Sequence, residues 1–127
     1  MFKLVKNLNG RTEAPDLIEL TAKAGTYAEG VALAYDGTDH VLAPAGATAK
    51  PLFIAYEGKT LAAAGKLKVY RITDGMIFET AAAGAVVGGA KYTLGSSSDS
   101  ITTTTTSGVI TVLESIAAAG TTLVCVE

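Results

Sequence analysis

The apolar residues of this chain come in short runs, each stopped by glycine, proline or an Asp-Gly pair before it reaches the length of a stable helix. Residues 52–56 follow Pro51 and stop at Glu57-Gly58, while 109–113 and 123–126 are strongly β-branched. β-Branched side chains are stiff at χ1 and suit a pleated backbone, so runs of this length between turn residues predict strands. About seven to nine such strands are expected, with at most one helical turn at each alanine run. Their spacing predicts an all-β fold, a small barrel, sandwich or clip.

Two echoes run through that pattern. Ala-Ala-Ala-Gly at 62–65 leads into Lys66-Leu67-Lys68-Val69-Tyr70, and Ala-Ala-Ala-Gly at 117–120 leads into Thr121-Thr122-Leu123-Val124-Cys125. Upstream, Ala24-Gly25 followed by Gly30 is matched by Ala83-Gly84 followed by Gly89. Each half thus keeps the same order of turn, hairpin, apolar strand, alanine run and last strand, as an internal duplication would. Alanine and glycine are also abundant enough to produce such matches by chance.

Along the chain, residues 16–22 are a first strand candidate and Gly25 and Gly30 bracket a turn, where glycine supplies positive φ. Residues 31–35 and 41–42 flank Asp36-Gly37, the dipeptide expected at a tight hairpin. Residues 66–72 are apolar on neither face alone, which suggests an edge or interface strand. Asp74-Gly75 signals a further hairpin before 76–80, and 91–94 is a brief strand. The threonine-rich stretch 101–106 favours an extended polar strand over a linker.

The first fifteen residues differ from the rest. They mix Lys3, Lys6, Arg11 and Glu13 with Asn7, Asn9 and Gly10, and show no sustained period. This predicts an extended, locally basic arm over 1–15, mobile until docked, preceding one β domain over 16–127. At 127 residues the chain is long enough to bury about two thirds of its unfolded surface in one domain.

Composition excludes more than it selects. A net charge of −2 gives no electrostatic reason to expect nucleic acid or an anionic membrane as partner. The single cysteine, Cys125, rules out an intramolecular disulfide and a cysteine-rich zinc site, and points to a reducing compartment and a small buried hydrophobe. The opening residues lack the pattern of a signal peptide, so a soluble protein made in the cytoplasm is expected. His40 stands alone, without partners for a metal cluster. Gly84 and Gly89 have the spacing of a phosphate-binding loop, but Ala90 stands where lysine is needed and Tyr92 where Ser or Thr is needed, so a β-turn is expected. The carboxylates Glu19, Glu29, Asp36, Asp39, Glu57, Asp74, Glu79 and Glu114 fall mostly at turns, as solvated charge does. No catalytic, cofactor-binding or metal-ligating residue is expected, and no enzyme.

The stretch Ala24-Gly25-Thr26-Tyr27-Ala28-Glu29-Gly30-Val31-Ala32-Leu33, with the two Ala-Ala-Ala-Gly strands, resembles tailed-bacteriophage head decoration proteins, also called capsid cement proteins. The resemblance covers roughly residues 16–127 and rests on turn glycines and small-residue strands. It implies a small β-clip or β-tulip domain, usually a homotrimer, that binds the major capsid protein outside an expanded shell at three-fold or quasi-three-fold sites. It also implies an N-terminal arm that orders on the capsid, here with Phe2, Lys3, Leu4, Lys6 and Arg11 as candidate contacts. On that reading, removing 1–15 leaves the domain folded and weakens binding. A tail- or fibre-associated β domain and a small-ligand-binding β module remain open alternatives.

Overall fold

The structure, a computed structural model, describes residues 1–6 and 15–126. It contains thirteen short strands, and no helix among the described residues. Strand β1 (Lys3–Lys6) stands apart. A first set follows, β2 (Ile18–Ala22), β3 (Gly25–Tyr27), β4 (Ala32–Tyr35), β5 (Leu42–Pro44), β6 (Phe53–Ala55), β7 (Lys59–Leu61) and β8 (Gly65–Arg71). A second comprises β9 (Ile77–Ala82), β10 (Lys91–Tyr92), β11 (Ser100–Ile101), β12 (Ile110–Val112) and β13 (Gly120–Val126).

The two sets repeat one another in register. In the first, β2-β5-β4-β6-β8 closes into a barrel. In the second, β9, β13, β12 and β10 pair in the corresponding order, β11 lies parallel to β9 as β5 lies parallel to β2, and a bridge between Leu94 and Ile101 completes the circuit. Individual pairs coincide. Ala22 faces Gly65 as Ala82 faces Gly120, and the row Ala55–Val69 matches Val112–Val124. The β3–β7 ladder has its counterpart in the bridge between Val86 and Ile116. Even the turn hydrogen bonds recur, with Gly30 N–H donating to Ala55 O at 2.9 Å and Gly89 N–H to Val112 O at 2.7 Å. Both glycines are left-handed, at φ 81° and 86°, which a side chain would resist. Both alanine runs are bends that deliver the chain into the long central strand of each set. Matching registers across these non-local pairs make the two sets structural repeats of one another.

Several local expectations are corrected. The stretch over 66–72 is β8, which pairs on both sides, with β2 and with β6, so it is no edge. Its mixed faces have another cause: Leu67 and Val69 fill the first barrel, while Tyr70 turns outward to the second repeat. Asp74-Gly75 makes no hairpin, because the strands it joins belong to different repeats. Asp36-Gly37 opens a longer loop over 36–41, in which Asp36 Oδ1 accepts the N–H groups of Thr38 and Asp39 at 2.7 and 2.8 Å and His40 takes φ 57°. The predicted turn after Gly25 begins as strand β3. The threonine stretch is strand only at Ile101; beyond it, Thr102 N–H donates to Thr93 O and Thr93 N–H to Thr104 O, and the remaining threonines are exposed.

The repeats share a core. Ala22, Leu33, Leu42, Phe53, Leu67 and Val69 fill the first barrel. The outward row Ala32–Ile54–Tyr70, direct neighbours across β4, β6 and β8, is buried in one cluster with Phe78, Leu94, Ile110 and Val124 of the second repeat. Burying side chains of this size stabilises by roughly 1.5–3 kcal/mol each. Tyr70 stacks on Phe78 at 6.5 Å, Leu94 N–H donates to Ala47 O at 3.0 Å, and the buried Ser98 hydroxyl donates to Ala45 O at 2.5 Å. The outer face of the first barrel therefore caps one end of the second. The contact runs head to tail.

Candidate interaction surfaces

The N-terminal segment is the first candidate surface. Residues 3–6 form β1, antiparallel to β9, with Lys3 opposite Glu79 and Leu4 opposite Phe78. Phe2 is buried, its N–H donating to Gly30 O at 2.9 Å and its ring meeting Phe78 edge-on at 6.3 Å. The Met1 amino group donates to Asp99 O. Of the candidate contact residues, the structure thus turns Phe2 into the core just before β1, and places Lys3 and Lys6, exposed, and Leu4, half-buried, on that strand. Arg11 and most of the expected arm lie outside the described residues. The signal for Phe2 was slight, one aromatic in a polar segment.

The second surface was not foreseen. It is the end of the first barrel, where Ile18 and Tyr35 are 43% and 54% exposed and the Tyr35 ring sits edge-on to Phe53 at 5.9 Å. The adjoining loop carries a cluster of charge: Lys23 Nζ lies 3.1 Å from Asp36 and 3.7 Å from Asp39. Backbone N–H donors of Asp39 and Thr38, with Lys23, hold the Asp36 carboxyl down at about 2, and the hydrogen bond and charge of Asp36 raise Lys23. This arrangement braces a loop. Three donors share its carboxylate, and a group held ionised so far down is a weak base.

Chemistry finds few materials elsewhere. Among the described residues no three of His, Cys, Asp and Glu gather as metal ligands would. Cys125 is buried in β13 between strands β9 and β12. Burial pushes the Tyr70 hydroxyl well above its usual range, with Glu29 adding to the effect. The loop around Gly88-Gly89 is a turn, tied by Gly88 N–H to Ser115 Oγ at 2.6 Å. A cavity of about 640 Å³ opens beside Ile77, Leu113, Cys125 and Val126, with Lys50 and Asp74 at its wall. No helix of the described chain is long and apolar enough to cross a membrane.

These observations define a domain of two β-barrel repeats that presents a basic strand, β1, and a barrel end where Ile18 and Tyr35 are exposed. Among solved structures, the crystal structure of the head fiber gp8.5 N base in bacteriophage phi29 is similar to this chain, with a TM-score of 0.59 and 14% identity over 88% of this chain and 95% of that one. At that identity the likeness is one of fold. No protein-family model and no curated protein matches the chain.

Proposed function

We propose that this protein is a structural component of a bacteriophage head, a decoration or cement protein that binds the outer surface of the expanded capsid. The observation that carries the proposal is the shared fold with the phi29 head fiber base, which extends over nearly the whole of both chains. Cementing needs no reacting group. It needs modest contacts multiplied by symmetry, so that several must break together before the shell opens. Trimers at three-fold or quasi-three-fold sites of the shell, contacting the major capsid protein, satisfy that requirement. Within such a contact Lys3 and Lys6, exposed on β1, face outward while Phe2 anchors the strand from inside.

The test uses expanded heads lacking the protein, mixed with the purified chain and sedimented. Saturable co-sedimentation and a higher rupture temperature are expected, with binding weakened in Lys3→Glu/Lys6→Glu. Absence of binding to expanded heads refutes the decoration role. The fold neighbour being a fibre base favours a second reading, the foot of a head fibre; retention on heads only together with a fibre protein distinguishes it.

A further inference from the structure

The two repeats hold the same strand edge in different states. Ala22 faces Gly65 as Ala82 faces Gly120, so along β2 and β9 Ile18 corresponds to Phe78 and Glu19 to Glu79. On β9 the parallel strand β11 covers that edge at Ala81 and Ala82, and β1 covers it at 77–79. On β2 the parallel strand β5 pairs only at Ala22, and among the described residues no strand lies along 17–19. Leu17 and Ile18 are 41% and 43% exposed there, and Glu19 is exposed beside them.

The backbone of that edge is turned outward. Lys68 C=O accepts Tyr56 N–H at 2.9 Å and Lys68 N–H donates to Glu57 Oε1 at 3.3 Å, so both of its polar groups face away from β2. In an antiparallel ladder the residue opposite such a position points its own N–H and C=O to the far side. Glu19, opposite Lys68, therefore presents both to the open edge. Glu79 presents the same groups toward β1, because its partner Leu123 gives its carbonyl to Leu113 N–H at 2.8 Å.

β1 shows what such an edge accepts. Lys3 lies opposite Glu79, Leu4 opposite Phe78, and the Phe2 ring meets Phe78 edge-on. The first repeat keeps the carboxylate, at Glu19, and an apolar residue, at Ile18. We propose that β2 takes an extended segment of another protein as an added antiparallel strand at 17–19, one that reads aromatic–basic–apolar and sets its cation opposite Glu19. Main-chain hydrogen bonds supply the affinity and the charge fixes the register. A second copy of β2 is disfavoured, since it brings two Glu19 carboxylates into one short ladder. This chain's own N-terminus is engaged on β9, with Phe2 buried. Lys68 already stands across from Glu19 on β8, so the added cation tunes binding and does not dominate it. The inference rests on the repeat and is independent of the virion role: it is read on the free protein, without heads.

The probe is a peptide copying residues 1–6, acetylated and amidated, titrated into the isotopically labelled full chain and followed by NMR. Saturable shifts of the amides at 17–20 are expected, with slower hydrogen exchange at Glu19. Methylating the backbone nitrogen of the peptide lysine equivalent to Lys3, the donor to Glu19 C=O in this register, should weaken binding about tenfold or more. Glu19→Lys should weaken it about fivefold or more. A peptide with both lysines replaced by glutamate should bind Glu19→Lys better than wild type, which a merely structural role of Glu19 does not produce. Glu79→Lys, on the edge that β1 already covers, is the control and should leave the shifts at 17–20 in place. Melting temperatures establish that each variant is folded. Absence of shifts at 17–20 at millimolar peptide, shifts confined to 77–80 as the peptide displaces β1, or binding indifferent to the methylated nitrogen overturns the inference. So does self-association of the free protein that the peptide competes away in sedimentation velocity, since a second copy then holds the edge.

Discussion

Phe2 joins three parts of the molecule: its backbone N–H is bonded to Gly30 of the first repeat, its ring meets Phe78 of the second, and it immediately precedes β1. Phe2→Ala is expected to cost about 3–5 kcal/mol, a large share of a typical domain's stability, measurable by urea unfolding. A loss below about 1 kcal/mol shows that β1 is held by its ladder alone. Thr111 presents the opposite case. Its Oγ1 is buried without a hydrogen-bond partner, and such a group is penalised for leaving water. Thr111→Val should therefore raise stability by about 1 kcal/mol, visible as a higher melting temperature. Asp36 gives a pH signature. Its folded carboxyl titrates at about 2 against an ordinary 3.8, so its stabilisation is complete above the unfolded value and drains away as pH falls through the folded one. Between pH 4 and 2 the wild type should lose melting temperature more steeply than Asp36→Asn; parallel curves contradict the brace.

At the scale of elements, the paired turns invite a controlled comparison. Gly30 and Gly89 have nearly the same φ, so alanine at either meets the same backbone strain of roughly 1–2 kcal/mol. Their surroundings differ. A Cβ on Gly30 would lie 2.5 Å from Met1 Cγ and 3.1 Å from Phe2 N, whereas one on Gly89 meets nothing within 4 Å. Gly30→Ala should be the more destabilising in thermal melts, and truncating residues 1–6 should reduce the difference. That truncation also uncovers Phe78 and unpairs the edge of β9, so amides of β9 should lose hydrogen-exchange protection. An arm that docked only on a partner would leave them protected.

For the molecule as a whole, the shared cluster means that neither repeat is an independent body. Ala32, Ile54 and Tyr70 count as core only with the second repeat in place, and Phe78, Leu94 and Ile110 only with the first. Calorimetry should show one transition with equal calorimetric and van't Hoff enthalpies; two resolved transitions would mean that the repeats fold separately. Much of this architecture is legible in the chain. The Ala-Gly turns, the alanine runs and the β-branched strands after them recur in sequence as they recur in space, because turn geometry and pleat preference act over a few residues. Strand partners were not legible. β8 has mixed faces like an edge strand, yet it lies inside a sheet, since period reports which face is apolar and says nothing of what covers it.

The all-β class, the short strands and the burial of Cys125 follow from local stereochemistry and side-chain type and are readable in the chain alone, whereas the echoes within it pointed to a repeat without distinguishing it from chance. The tertiary structure decided where Phe2 goes, that the threonine stretch is strand only at its start, that the first repeat caps the second, and that Ile18 and Tyr35 are left uncovered. Those outcomes depend on which surfaces the fold brings together, as with Phe2 on Phe78 and Ser98 on Ala45, where complementarity of shape selects the partner and no local pattern records it.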